Sequence, residues 1–250
     1  MSALSNFAAS LPAPGPLRAR ARVLTLLEAA FGSRWPRYSH AAADGNGFEH
    51  FWYENGGGDD YHVFLGPSSA FLRAFDHESW MSPYSEDELC PGLLDGLPED
   101  LTPLTRLEND EPEFPALTLA LWHDGTAWRH GDPRPGDGRE PELTSWMLAP
   151  LASFTPDPLT KHFGHYYSRP VDTGVLEALV AGAPVDRDLV ERLAPGTAWE
   201  PVEELARRLD APARCGGSGF MATSLAGGPG VTQAASTTTY AGCRAADRHP

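Results

Sequence analysis

Apolar residues at Leu17, Ala21, Leu24, Leu27 and Phe31 recur every three or four positions, and Gly32 follows them. That spacing predicts one buried face of an amphipathic helix, with glycine as its stop. Residues 1–16 carry Pro12, Pro14 and Pro16 among small side chains and read as a flexible leader. The period then changes. Phe48–Glu54 holds aromatics at 48, 51, 52 and 53, Tyr61–Leu65 is a compact aromatic and β-branched run, and Ala70–Phe75 alternates. In that last run Phe71, Arg73 and Phe75 share one face and Ala70, Leu72 and Ala74 the other. Three strands are predicted, separated by a glycine-rich connection at 55–60 and a turn at Gly66–Ser69. Leu117–Trp122 and Ala127–His130 flank Asp124-Gly125, a pair that favours a tight hairpin turn.

Helical signals return between and after the strands. Ser82 before Pro83 suits an N-cap and a short helix to about Leu89, and Pro98–Asp100 opens another to about Leu107. Leu143–Phe154 has helical spacing, with a break expected at Pro150. Residues 171–182 and 185–196 repeat one pattern at an offset of 14: a capping aspartate, a Leu/Val face and a terminal glycine. Trp199–Leu209 predicts a third helix, with Glu203 and Glu204 placed before Arg207 and Arg208 for i,i+4 pairing. From 211 to 250 Gly, Ala, Ser and Thr dominate without apolar periodicity. Such a tail is expected to be disordered, and it reads as an extension translated out of frame. The fold class is α+β: one domain over 17–210, with a leading helix, an antiparallel sheet of about five strands and a helical subregion over 143–210.

Composition narrows the function classes. Hydrophobic residues make up 41% of the chain, with 25 Gly and 24 Pro, so short elements and many turns are expected. No apolar run is long enough for a membrane span, and the first residues lack the basic and apolar regions of a secretory signal, so the cytoplasm is the expected location. Cys90, Cys215 and Cys243 show no paired spacing and read as reduced thiols. Lys161 is the only lysine, which reads as the codon bias of a GC-rich genome. The net charge of −15 is uneven, for Asp44–Glu142 holds 22 acidic residues against 5 arginines. An acidic middle repels nucleic acid and anionic membrane and favours a basic protein partner.

Candidate chemistry centres on Ala74–Tyr84, A-F-D-H-E-S-W-M-S-P-Y. Asp76, His77 and Glu78 are candidates for acid–base or metal chemistry. On a continuing strand, however, neighbours point to opposite faces, and at a turn Asp76 would accept from the Glu78 or Ser79 amide. His77 would then lie against Phe71, Phe75 or Trp80. Imidazoles from three successive strands, His50, His62 and His77, would suit zinc if they met on one face, although no H-x-H or HExxH spacing supports this. His162 and His165 stand at i,i+3, but Phe163, Tyr166 and Tyr167 around them favour packing. The glycines at 56–58 lack the spacing of a phosphate loop, and acids follow them. No motif calls for a cofactor. Trp52, Asp59, Asp60, Trp80 and Tyr84 are the candidate binding residues of an acidic, aromatic face.

The blocks F-E-H-F-W-Y-E-N-G-G-G-D-D-Y-H-V-F-L, A-F-D-H-E-S-W-M-S-P-Y and P-G-L-L-D-G-L-P carry a resemblance. From about Phe31 to about Asp210 the chain resembles an uncharacterised family of bacterial proteins with an F-D-H-E-S-x-M-S-P-Y signature. That family lends no catalytic residues. More loosely, the leading helix, antiparallel sheet and acidic surface are similar to SUKH-type immunity proteins, an analogy of fold from which function does not follow. Two functions are therefore expected: an immunity-like or regulatory interaction module with a basic partner, or a metal-dependent or acid–base hydrolase centred on Asp76, His77 and Glu78.

Because the tail has no periodic apolar face, ending the chain after Asp210 should leave the melting temperature within about 2 °C of the full-length value. A large loss of thermal stability would show that the tail packs.

Overall fold

The computed structural model describes residues 2–210 apart from 33, 44–46, 109, 112, 137, 144, 145 and 169. The expected disorder of 211–250 lies outside the described residues. The elements run α1 (Ala3–Ser10), α2 (Pro14–Phe31), β1 (Tyr38–Ala41), β2 (Glu49–Glu54), β3 (Asp60–Leu65), β4 (Ala70–Phe75), α3 (Pro83–Glu86), β5 (Leu119–His123) and β6 (Trp128–His130). Five further helices follow: α4 (Ala149–Ala152), α5 (Pro156–Tyr167), α6 (Thr173–Val180), α7 (Arg187–Leu193) and α8 (Trp199–Asp210). The α+β architecture and the helical C-terminal half agree with the sequence reading. No helix among the described residues is long and apolar enough to cross a membrane.

Each strand pairs antiparallel with the next, giving a six-stranded meander in chain order. The expected five strands missed β1, a four-residue edge strand whose Tyr38 alone is buried. Tight turns join β2 to β3, β3 to β4 and β5 to β6, whereas residues 76–118 separate β4 from β5. Side-chain alternation then creates two unlike faces. Phe51, Tyr53, Val63, Leu72 and Leu121 point to the first face and join one core with α1, α2 and α4–α8. Phe64, Phe71, Ala120 and Trp122 point to the second, where the long connection covers them with Met81, Cys90, Leu93, Leu101 and Leu117. All six residues of β4 are buried, so this strand lies inside both cores.

One charged side chain fastens the second layer. Arg73 is fully buried. Its guanidinium donates to the carbonyls of Thr105 (2.8 Å) and Ala116 (2.6 Å) and to Asp110 Oδ2 (3.1 Å). Thr105 closes a 3₁₀ helix (Glu99–Thr105) within the connection. The strand thus holds the connection at three points, and the charge is matched by Asp110, itself almost wholly buried. Glycine permits a second close approach. A Cβ on Gly92, at φ +81°, would fall 2.0 Å from the Asp132 carbonyl, and one on Gly131 would fall 2.2 Å from the Gly92 carbonyl. The loop after β6 therefore locks onto the connection, backbone against backbone, and the Arg134 amide donates to Pro91 O at 2.7 Å.

The leader expectation is corrected. Ser2 caps α1 by accepting from the Ser5 amide at 3.1 Å. Leu4, Ala8 and Leu11, spaced four and three residues apart, enter the main core. Trp128 Nε1 donates to Pro12 O at 2.7 Å, tying the segment to the sheet edge. Pro150 does not break a helix but lies in the first turn of α4, where its missing N–H costs nothing. Ser82 occupies the N-cap of α3 without a side-chain bond, and that helix ends at Glu86 rather than Leu89. The repeat is confirmed in detail. Asp172 accepts from the Val175 amide (3.2 Å), Asp186 from the Leu189 amide (2.9 Å), and Gly182 and Gly196 follow with positive φ.

Replacing Arg73 by methionine strands two buried carbonyls and a buried carboxylate. The variant should lose about 3–5 kcal/mol of unfolding free energy in urea titration, the range for breaking a buried pair at one partner. A loss under about 1 kcal/mol, the range of exposed pairs, would mean that the connection holds itself in place.

Candidate functional site

The β2–β3 turn positions the first acidic group. Asn55 Oδ1 accepts from the amides of Gly57 (2.6 Å) and Asp59 (3.1 Å), while Gly56 and Gly58 take positive φ. The turn sets Asp59 on the first face, buried, with Asn55 Nδ2 donating to it. Asp59 Oδ1 also accepts from the His77 amide (2.9 Å) and from His77 Nδ1 (2.7 Å). The Asp59 hydrogen bond raises the His77 pKa above its ordinary value. Burial alone would raise Asp59, but the His77 and Asn55 hydrogen bonds outweigh it and hold the carboxyl below its usual range.

The segment after β4 is a corner built on Asp76. Its amide donates to Thr118 Oγ1 (3.1 Å), Oδ1 accepts from the Glu78 amide (3.0 Å), and Oδ2 accepts from Trp146 Nε1 (2.9 Å). The predicted turn-capping role of Asp76 is therefore present. His77 differs from expectation: it turns to Asp59 and stays half-exposed rather than packing on Phe71, Phe75 or Trp80. Glu78 points to solvent with 85% of its side chain exposed. Ser79 Oγ donates to Glu142 Oε2 at 2.8 Å. Four adjacent side chains thus take four directions. Across the chain, Asp59, Asp76 and His77 offer ligand atoms within 4.8 Å of one another. A divalent cation there would have to displace the bonds these groups already accept from His77, Asn55, Glu78 and Trp146.

The three candidate zinc histidines do not meet. His50 Nε2 and His62 Nδ1 are 2.9 Å apart on the second face, and His62 Nε2 lies 3.3 Å from Asp60 Oδ1. His77 belongs with Asp59, which strand alternation places on the opposite face from His62. Burial, followed by the nearby charges of His62, His40 and Arg73, pushes the His50 pKa down to about 3. The two imidazoles stack on one another with ring centroids 5.1 Å apart.

The candidate binding residues also divide. Asp59 is committed to His77. Trp52 is half-buried beside His50, with ring centroids 4.8 Å apart. Asp60 lies opposite Phe75 in the β3–β4 register, and Tyr84 packs edge-on to Phe75 at 5.6 Å and to Phe114 at 5.4 Å. Trp52, Asp60 and Tyr84 therefore follow the second face. Trp80 instead borders a cavity of about 380 Å³ with Met81, Glu88, Cys90, Pro91 and Pro135. Burial raises the Cys90 thiol pKa, which disfavours the reactive thiolate in this wall.

A larger cavity, about 710 Å³, corresponds to none of the sequence expectations. It is lined by Arg37, Tyr53, Asn55, Trp146, Lys161 and His165, with neighbours on α5. Its signal in the sequence is the pair of i,i+4 rungs Lys161/His165 and His162/Tyr166, which place four polar rings and cations along one side of a helix. His162 donates to or accepts from Tyr38 Oη at 2.8 Å, and burial, with the charges of Arg37 and His165, lowers its pKa to about 4. Comparison with protein-family models, with curated proteins and with solved structures finds no match.

The Asp59–His77 pair should be visible in NMR titration. His77 should titrate above 6.5, and Asp59→Asn should move it down towards or below that value. The sign for stability follows: the raised His77 contributes fully below 6.5 and its share is lost as pH rises through the folded value. The depressed Asp59 contributes above the ordinary carboxylate range and its share is lost as pH falls. An unchanged His77 titration in Asp59→Asn would remove the pair.

Proposed function

We infer that the protein is a cytoplasmic interaction module of the immunity or regulatory kind, whose acidic layer receives a basic segment of a partner protein. The observation that carries this reading is an exposed acidic connection with a cavity whose rim bears Glu88. Asp87, Glu88, Glu99, Asp100, Glu108 and Glu113 are all exposed on the connection that covers the second face. Glu88 stands at the rim of the cavity walled by Trp80, Met81 and Cys90. That combination suits an arginine or lysine, whose aliphatic stem packs on apolar walls while its head reaches a carboxylate. Clustered negative charge adds long-range attraction to a basic protein and speeds encounter, with strong salt dependence. The same field disfavours nucleic acid and anionic membrane.

The hydrolase reading centred on Asp76, His77 and Glu78 is the weaker proposal. A half-exposed imidazole oriented by a buried carboxylate supports it, and the divergence of Asp76, Glu78 and Ser79 counts against it.

Affinity capture from a bacterial lysate tests the interaction reading. A basic protein should be retained at low salt, released at high salt, and lost with Glu88→Lys, whose exposed position leaves the fold intact. Absence of any partner at every salt concentration, or capture that Glu88→Lys leaves unchanged, would overturn it.

A further inference from the structure

The 710 Å³ cavity on the helical side of the sheet has the opposite electrical character. Arg37 reaches it from the residues leading into β1. Its guanidinium lies 3.5 Å over the Tyr166 ring and donates to Tyr53 Oη at 3.5 Å. Lys161 and His165 reach it from adjacent turns of α5. The Glu28 carboxylate accepts from the Arg37 backbone amide and feels its charge, but neither the Arg37 guanidinium nor Lys161 forms a side-chain ion pair among the described residues. Arg18, Arg22, Arg73, Arg129 and Arg192 each do. Arg37 and Lys161 flank one concavity with no carboxylate in its lining. Asp59 and Asp76 do not line it and hold His77, Asn55 and Trp146. A concave, low-dielectric wall concentrates the remaining positive field.

A second observation points to a ligand at the same place. Only Trp35, Tyr84 and Trp146 are large apolar side chains standing exposed among the described residues. Trp146, 53% exposed, lines this cavity. Trp35, 71% exposed, adjoins it through its carbonyl, which accepts from Tyr166 Oη at 3.1 Å. The Trp146 indole is fixed by its bond to Asp76, so it presents a rigid planar face beside the cations. A guanidinium, an ammonium, an imidazole and a phenol around one space supply more donors than a carboxylate's two oxygens need. They match the three oxygens and double charge of a phosphate monoester.

We propose that this cavity binds a phosphate monoester carried on a planar ring, with Arg37 and Lys161 on the phosphate and Trp146 against the ring. The site is separate from the acidic layer, and it stands or falls without the basic partner.

Titration of the full-length protein with adenosine monophosphate, adenosine and benzoate, followed by calorimetry and tryptophan fluorescence, tests it. Adenosine monophosphate should bind saturably and quench fluorescence, with adenosine and benzoate at least about tenfold weaker. Lys161→Ala should weaken the phosphate ligand by about tenfold or more, and Lys161→Glu further. Arg37→Ala also removes the stack on Tyr166, so the exposed Lys161 is the cleaner variant, with its melting temperature as a check on folding. Absence of binding by adenosine monophosphate, equal binding of adenosine or benzoate, or an unchanged affinity in Lys161→Glu would each overturn the proposal.

Discussion

The structure depends on a strand that is buried on both faces yet carries a charge. β4 sends Leu72 and the small Ala70 and Ala74 into the helical core and Phe71, Arg73 and Phe75 into the other. A guanidinium in such a place needs partners for its donors, and the connection supplies two carbonyls and a carboxylate to its two terminal nitrogens, while Nε is left without a partner among the described residues. That requirement organises a long segment with little regular structure. Its one 3₁₀ helix ends at the residue whose carbonyl Arg73 binds. Without that anchor, the second face would expose Phe64, Phe71 and Trp122 to water.

Two coverings of different origin make two different surfaces. The helices over the first face are held by periodic apolar stripes, which leaves their outer sides free to carry mixed charge. The connection over the second face is anchored by leucines without a helical period, and many of its exposed positions are acids. The sheet thereby separates net charge across its thickness, with the acidic connection on one layer and Arg37 and Lys161 lining a cavity without a carboxylate on the other. Separation of this kind allows one small domain to attract a basic protein and an anionic small molecule without the two fields cancelling.

Much of the fold was legible wherever local chemistry decides the outcome. The Ala70–Phe75 strand, the Asp124-Gly125 hairpin and the twin helices capped by Asp172 and Asp186 follow from side-chain period, turn preference and capping, all of them short-range effects. Failures came where a distant partner decides. Prolines 12, 14 and 16 suggested a loose leader, but Leu4, Ala8 and Leu11 find their burial against a sheet edge contributed by residues 128–130. The short strand Tyr38–Ala41 pairs only because β2 offers it an edge. At the site level, Asp76 as a turn cap was readable because the amide it accepts from lies two residues away. The Asp59–His77 contact joins a hairpin turn to a strand end and leaves no trace in spacing. In the sequence Lys161 reads only as codon bias, because its setting depends on Arg37 and Tyr53 from remote parts of the chain.

The most reactive-looking segment thus acquires its meaning from what it holds. Asp76 fixes the indole of Trp146, and Asp59, gripped by His77, fixes the amide of Asn55. Trp146 and Asn55 are both walls of the cationic cavity. The carboxylates do not line that space and spend their charge on backbone amides, an imidazole and an indole N–H. Turned inward instead, they would cancel the field of Arg37 and Lys161 and repel any anion. Rigid walls with their charge directed outward are what a pre-organised anion site requires, because neither the ligand nor the protein then has to reorder groups on binding. The Asp-His-Glu-Ser run is in this sense the frame of a site, displaced by one layer of side chains from where its own chemistry seemed to place it.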